Sequence, residues 1–161
     1  MIPYSSQSKL RDVEGVMKDE KWLESMEKLG TVRLFSSLYV KKSRKGALTS
    51  AQEIDLLFRT ALAEEALTPL DLSYAMGIRK NAVSRLIEDL TKKHLVQKIE
   101  CKKDKRSYYL KITENGKKEL DDTYYYYMEP FYELQRNLGE EDFDTLMKLI
   151  QKANDSAMDK K

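Results

Sequence analysis

The sequence has 161 residues, of which 41% are hydrophobic and 35% are charged, with a formal net charge of +2. A chain of this length can bury one sizeable core, and we expect a single domain over residues 1–161. The first residues lack the apolar segment of a signal peptide, no apolar run reaches membrane-span length, and the lone cysteine cannot form a disulfide within the chain. These features favour a cytoplasmic protein without a membrane segment.

Two helical patterns precede the most informative part of the chain. The first runs from about Leu10 to Lys42, with apolar residues spaced by three and four. The second begins after Thr49 or Ser50, with Glu53 placed as the partner in a capping box, and is expected to end near Glu65. Its predicted inward-facing residues are Ile54, Leu57, Phe58, Ala61 and Leu62.

Residues 67–113 predict a helix-turn-helix followed by a β-hairpin. Thr68 can cap the first helix, Pro69 suits its first position, and Asp71 completes a capping box. Gly77 can adopt the left-handed conformation that ends this helix. A second helix begins near Arg79 and has one apolar stripe, formed by Val83, Leu86, Ile87 and Leu90.

The other faces of the second helix carry short polar and basic side chains: Arg79, Lys80, Asn81, Ser84 and Arg85. A helix that is buried on one side and polar on the other fits the major groove of DNA, although a solvated helix face has the same composition. Asn81 and Ser84 are short enough to meet base edges, whereas Lys80 and Arg85 can reach guanine or phosphate.

The hairpin adds a feature that favours DNA binding over a merely solvated helix face. Its two apolar strands, around Val96 and from Tyr108 to Ile112, flank a charged tip made of Lys102, Lys103, Asp104, Lys105 and Arg106. Helix-turn-helix, strand, charged tip and strand together predict a winged helix. Residues 79–118 contain 13 cations and 5 acids, a local net charge of +8, which is the electrostatic footprint expected of a nucleic-acid binder.

Three segments carry a resemblance to a known family: LTPLDLSYAMGI, AVSRLIEDLTKKHLV and DKRSYYLKITENGKKEL. They resemble the multiple antibiotic resistance regulator (MarR) family of bacterial transcription regulators. The most specific part is the Asp-x-Arg of the wing tip followed by Leu-x-Ile-Thr-Glu-x-Gly. His94 departs from the pattern, because the family usually has glycine there, and Arg79 stands where a small capping residue is common.

The resemblance implies a mainly α fold with a small β-wing. Residues 49–113 would form the winged helix-turn-helix, while residues 9–45 and 114–157 would form an all-α dimerisation platform. Arg106 would enter the minor groove, where a narrow A·T-rich segment concentrates negative potential, and Asp104 would orient it or close the turn. Lys102, Lys103 and Lys105 would contact phosphate without selecting sequence.

The part after the wing predicts two more helices. The first begins at Glu114 and contains four consecutive tyrosines, Tyr124 to Tyr127, which cannot all face one core because successive residues are about 100° apart. At least one or two of them must therefore meet water, another helix or a partner chain. Pro130 predicts a kink, and Gly139 marks the break before the last helix.

Outside the predicted DNA-contacting residues, the sequence offers two further candidate sites, an effector cavity and a single cysteine. Tyr39, Phe58, Tyr124 and Tyr127 are predicted to line a cavity for a small aromatic or lipophilic effector, as the resemblance implies, although core packing and dimer contact explain the same residues. Cys101 is interpreted as a small packed hydrophobe, with redox sensing as the alternative. One histidine and one cysteine give no credible set of zinc ligands in a monomer, and we expect no metal and no cofactor.

Together these features predict a homodimeric, sequence-specific regulator of transcription that binds double-stranded DNA and acts as a repressor at a pseudo-palindromic operator. Release by a small effector is implied by the resemblance. The alternative is a winged-helix module that binds proteins, and an architectural DNA binder without sequence preference is a further one. An enzyme is disfavoured, because the sequence has no nucleophile–base pair, phosphate loop or metal cluster.

Overall fold

The computed structural model describes residues 21–101 and 107–158. This part of the chain contains six helices and a two-stranded antiparallel sheet, which confirms the predicted fold class. In chain order the elements are α1 (Trp22–Tyr39), α2 (Ala51–Leu62), α3 (Pro69–Met76), α4 (Lys80–Lys92), β1 (Val96–Glu100), β2 (Tyr108–Ile112), α5 (Glu114–Leu138) and α6 (Glu140–Met158).

The chain divides into two units, residues 1–37 and residues 38–161. In the first unit the described residues lie almost entirely in α1, none of whose residues is buried. Large apolar side chains of this helix are exposed, among them Met26, Leu29, Val32 and Leu34. The helix ends at Tyr39 instead of Lys42, and its predicted start at Leu10 lies outside the described residues.

The core of the second unit lies among α2, α3, α4, the hairpin and the start of α5. Its largest fully buried side chains are Leu56, Leu57, Leu72, Val83, Ile87 and Leu90. The predicted apolar stripe of α4 is confirmed, with Leu86 half-buried at its edge. Burying each aliphatic side chain of this size contributes about 1.5–3 kcal/mol, so this stripe is what anchors α4 to the domain.

The prediction for α2 was partly wrong. Ser50 caps the helix through a complete capping box with Glu53, but the helix ends at Leu62, before the expected Glu65. Leu62 is 77% exposed, whereas Leu56, outside the predicted stripe, is fully buried. The reason is that α2 packs against α3, α4, α5 and β2, so more than one face is covered, while its last turn extends past that packing. Ala61, also predicted to face inward, is exposed.

The C-terminal half consists of two long helices. α5 continues through Pro130 to Leu138, and Gly139, with a φ of 79°, separates it from α6 as predicted. The rings of Phe131 and Phe143 meet edge to face at 5.3 Å and join the two helices. The expectation for the tyrosine run is confirmed, because Tyr124 and Tyr125 are exposed. Within the described ranges, no helix combines the length and apolarity that crossing a membrane requires.

Candidate nucleic-acid interface

The turn between α3 and α4 is built by local chemistry. Thr68 and Asp71 form a reciprocal capping box at the start of α3, and Gly77 ends that helix with a φ of 66°. The hydroxyl of Ser73 then donates a 2.7 Å hydrogen bond to the carbonyl of Ile78, which closes the turn. Each prediction for this turn is confirmed, and the turn fixes where α4 begins.

The N-terminal end of α4 lacks a side-chain cap. Arg79 is the N-cap residue, with an extended backbone, and its side chain makes no capping hydrogen bond. The first N–H groups of the helix are therefore left to water or to a ligand. A helix N-terminus without a side-chain cap attracts anions, because its N–H groups carry partial positive charge.

The side chains predicted to meet DNA lie on the free faces of α4. Arg79, Lys80, Asn81 and Arg85 are exposed, and Ser84 is half-buried beside the apolar stripe. Among the described residues, none of these five side chains forms a hydrogen bond or an ion pair with another side chain. The structure thus brings the five predicted residues together on one surface whose polar groups are available to a partner.

The wing is a short antiparallel hairpin in which Val96 pairs with Ile112 and Glu100 with Tyr108. The N–H of Leu110 also donates to the carbonyl of Leu67, so the segment before α3 is bonded to β2. The ammonium group of Lys98 lies 4.9 Å from the centre of the Tyr108 ring, a cation–π contact. The predicted tip residues Lys102, Lys103, Asp104, Lys105 and Arg106 lie outside the described residues.

Cys101 stands at the base of the wing and is 7% exposed, in agreement with its interpretation as a packed side chain. Its thiol donates a hydrogen bond to the hydroxyl of Tyr109 at 3.5 Å. This hydrogen bond is the main reason why the pKa of Tyr109 lies above its ordinary value. The pair joins Cys101, the residue after β1, to Tyr109 of β2, so it stabilises this end of the hairpin.

The C-terminal end of α4 is fixed by two side-chain contacts that the sequence analysis did not predict. Lys93 donates a 2.5 Å hydrogen bond to Glu53, which sequence analysis had placed only in a capping box of α2. The hydroxyl of Thr113 donates to the carbonyl of His94 at 2.7 Å. The available signal was the Thr-Glu-x-Gly segment after β2, because a glycine in the first turn of a helix is unfavourable unless close packing requires it.

The four residues predicted to line an effector cavity lie in α1, α2 and α5, and their role in binding an effector stays a prediction. Phe58 and Tyr127 pack against the core, Tyr39 is half-buried near the end of α1, and the Tyr124 hydroxyl lies 3.2 Å from that of Tyr132. Tyr127 does border a cavity of about 250 Å³ between α5 and the segment 44–48. Among the described residues, no group of three or more His, Cys, Asp or Glu side chains is placed to hold a metal ion.

Burial raises the pKa of Tyr127 above its ordinary value, and the neighbouring Tyr126 adds to this effect. The Tyr127 hydroxyl is shielded from water and makes no hydrogen bond of normal geometry, although the backbone of Arg44 favours its deprotonated form slightly. A buried hydroxyl without a partner is costly, and among the described residues Tyr127 has the one buried side-chain oxygen or nitrogen in this state.

The central segment of the chain is similar to a known protein family. A family model described as the MarR family matches residues 48–107. Over these residues the chain is similar to the MarR family, and the segment runs from just before α2 to the residue before β2, within the winged helix-turn-helix described above. It contains every residue predicted to contact DNA, from Arg79 to Arg106, whereas Thr113 and Gly116 lie beyond its end. No curated protein sequence matches the chain.

Solved structures of MarR-family proteins share the fold over most of the chain. AbsC, a MarR family transcriptional regulator from Streptomyces coelicolor, is 16% identical, with a TM-score of 0.71 over 91% of this chain and 99% of its own. A mutant MarR from E. coli in complex with operator DNA is 22% identical, with a TM-score of 0.56 over 82% and 91%. PcaV from Streptomyces coelicolor, in complex with its natural ligand, is 14% identical, with a TM-score of 0.62 over 89% and 99%.

Proposed function

We propose that the protein is a homodimeric regulator of transcription that binds double-stranded DNA in a sequence-specific manner and acts as a repressor. The observation that carries the proposal is the exposed face of α4, whose polar side chains are unpaired among the described residues, within a segment that is similar to the MarR family. A similar structure, that of the E. coli MarR mutant, is a complex with operator DNA, and AbsC is a MarR family transcriptional regulator, which supports a regulator rather than an enzyme.

The residues divide by the kind of contact that they can make. Asn81 and Ser84 have short side chains that can exchange hydrogen bonds with base edges in the major groove. Lys80 and Arg85 have longer cationic side chains that reach phosphate or guanine. The wing residues Lys102, Lys103 and Lys105 would contact phosphate, while Arg106, supported by Asp104, would enter the neighbouring minor groove.

A dimer is the assembly that would make such an interface selective. Two copies of α4 must lie about 34 Å apart to enter successive major grooves on one side of B-DNA. Exposed apolar side chains of α1, such as Leu29 and Val32, together with Leu149 and Ile150 of α6, offer surface that a second copy of the chain would cover. The operator would then be a pseudo-palindrome, and the helices of residues 9–45 and 114–157 would form the platform.

Regulation by a small molecule is part of the proposal. PcaV, which shares the fold, is seen with its natural ligand. In this chain a ligand that changes the separation of the two α4 helices would release DNA, because both half-sites can no longer be occupied together. We expect an aromatic or lipophilic effector, with Tyr39, Phe58, Tyr124 and Tyr127 as its candidate contacts.

The proposal is tested by the alanine variants of Asn81 and Lys80. Binding is measured at fixed salt to a duplex selected from random sequence by the wild-type protein, and to a scrambled duplex of equal length. Asn81→Ala should weaken binding to the selected duplex alone, by about 1–3 kcal/mol. Lys80→Ala should weaken binding to both duplexes and reduce the slope of log affinity against log salt by about 1.

Lys152→Ala, which changes an exposed lysine of α6, serves as the control for lost charge and should leave the selectivity unchanged. A winged-helix module that binds proteins would instead show weak, salt-sensitive binding without a sequence preference, and neither variant of α4 would change selectivity. An architectural DNA binder would hold the selected and scrambled duplexes with equal affinity.

A further inference from the structure

The N-terminus of α5 is bonded directly to the C-terminal end of α4. The hydroxyl of Thr113 donates to the carbonyl of His94 at 2.7 Å and accepts from the N–H of Gly116 at 3.0 Å. The N–H of Thr113 donates to the carbonyl of Leu95 at 3.1 Å. One residue therefore caps the first turn of α5 and also binds two of the residues that follow α4.

Gly116 shows how closely these two elements approach each other. A Cβ atom at this position would lie 2.2 Å from the carbonyl oxygen of Leu95 and 2.7 Å from Cγ1 of Ile112. The Leu95 carbonyl is not free to move away, because Leu95 is buried and this carbonyl accepts a hydrogen bond from the N–H of Thr113. Only glycine allows the first turn of α5 to lie against the backbone at the end of α4.

The same end of α4 is also bonded to α2. Lys93 donates to the buried carboxylate of Glu53 at 2.5 Å, and the hydroxyl of Thr49 donates to Glu119 of α5 at 2.6 Å. We call this set of contacts the helix junction. It comprises the start of α2 (Thr49, Glu53), the end of α4 (Lys93, His94, Leu95) and the start of α5 (Thr113, Gly116, Glu119).

The two ends of α4 differ, because the helix junction fixes the C-terminal end while the N-terminal end is exposed. The first turn of α4, which carries Lys80 and Asn81, is exposed and lacks a side-chain cap. A helix of 13 residues is about 20 Å long, so a tilt of about 5° at its fixed end displaces the other end by about 2 Å. Such a displacement is enough to break hydrogen bonds to base edges, which require donor–acceptor distances near 3 Å.

We infer that Thr113 and Gly116 are positioning residues for DNA reading, because they fix the direction of α4 relative to α5. A displacement of α5 is then transmitted through the helix junction to Asn81 and Ser84, which lie in the N-terminal half of α4. This inference rests on the proposed function and identifies the element through which α5 controls the selectivity of the same interface.

The test removes the Thr113 hydroxyl and compares the result with variants that keep it. Thr113→Val removes both hydrogen bonds of that hydroxyl at nearly constant volume, and Thr113→Ser retains them. Thr123→Val is the matched control, because the Thr123 hydroxyl donates to the carbonyl of Glu119 within α5 itself. All binding measurements are made at a temperature where circular dichroism shows each variant to be fully folded.

The measured quantity is the ratio of affinities for the selected and the scrambled duplex. Thr113→Val should lower this ratio by about tenfold or more, while Thr113→Ser and Thr123→Val should stay within about threefold of the wild type. The inference is overturned when Thr113→Val keeps the ratio, or weakens binding to both duplexes by the same factor, as loss of general stability would do.

A second measurement needs no DNA. Amide hydrogen exchange at Lys93, His94 and Leu95 should be about tenfold faster in Thr113→Val than in Thr123→Val, because the end of α4 has lost its partner. Unchanged exchange rejects the inference even when the wild type selects DNA. A wild type that prefers no sequence instead rejects the proposed function, so the two failures are separable.

Discussion

Lys93, the C-cap residue of α4, donates a 2.5 Å hydrogen bond to Glu53 in the first turn of α2. The two residues are 40 positions apart in the sequence. Glu53 is only 5% exposed, and it also accepts a 2.7 Å hydrogen bond from the N–H of Ser50. One carboxylate therefore completes the capping box of α2 and pairs with the ammonium group at the C-terminal end of α4. This pair and the apolar stripe both hold α4 against the rest of the domain.

Replacing Lys93 with methionine should destabilise the protein, because Glu53 would remain buried without its cation. We expect a loss of about 1–3 kcal/mol in the free energy of unfolding, measured by urea denaturation. Lys92→Met is the control, since the Lys92 side chain is 74% exposed and pairs with Asp89 only at 3.6 Å. That change should cost less than about 0.5 kcal/mol. Equal losses for the two lysines would contradict the role of the buried pair.

The stability of the protein should depend on pH through Glu53. Burial raises the pKa of Glu53, but the hydrogen bond from Lys93, the hydrogen bonds with Ser50 and the charge of Lys93 outweigh it, so the pKa lies below its ordinary value of 4.5. Because the folded state binds this proton less readily than the unfolded state, the contribution of Glu53 is present above pH 4.5 and is lost as the pH falls toward the folded-state pKa.

This linkage is measured by urea denaturation of the wild type and of Glu53→Gln between about pH 7 and pH 3. The wild type should be the more stable protein at neutral pH, and its advantage should shrink on acidification. Parallel curves for the two proteins would show that Glu53 does not contribute to the acid sensitivity.

Two glycines in helices should respond to alanine in opposite directions. Gly116→Ala places a methyl group against the Leu95 carbonyl and should cost about 2–4 kcal/mol in the free energy of unfolding. Gly30→Ala, in α1, meets nothing within 4 Å and should stabilise its helix by up to about 1 kcal/mol. Thermal denaturation of both variants checks the difference. A neutral Gly116→Ala would mean that α5 and the end of α4 are not in close contact.

His94 adopts a left-handed backbone with a φ of 59°, the conformation that glycine accepts without strain. His94→Gly should therefore stabilise the protein by about 0.5–1 kcal/mol, measured from the urea midpoint at an unchanged slope. The carbonyl of residue 94 still accepts from Thr113 in this variant, because the backbone is retained. Destabilisation by His94→Gly would show that the imidazole makes a contribution larger than the strain that it imposes.

The parts of the fold that sequence analysis predicted correctly depend on neighbouring residues. The capping box of Thr68 and Asp71 and the left-handed Gly77 were predictable because each requires only residues within one turn of chain. The stripe of α4 was predictable because one face of the helix is buried. The end of α2 was not, since its core contacts involve four other elements and more than one face.

The helix junction could not be predicted for a different reason. Glu53 and Lys93 each have an ordinary local role, and their pairing depends on how two helices meet in space. Gly116 likewise appears as a poor helix residue until the Leu95 carbonyl is placed beside it. The residues of α4 that are predicted to contact DNA lie on one exposed surface, while their contact with DNA and the assignment of each to base or phosphate stay predictions.

Hydroxyl-radical footprinting of the wild-type protein on a selected duplex, combined with the mass of the complex, tests most directly whether two α4 helices read one DNA. We predict two chains per duplex and two protected patches on the same face, with their centres about 10 base pairs apart. A single chain on the duplex, or uniform protection that ignores the sequence, would contradict a dimeric, sequence-specific regulator.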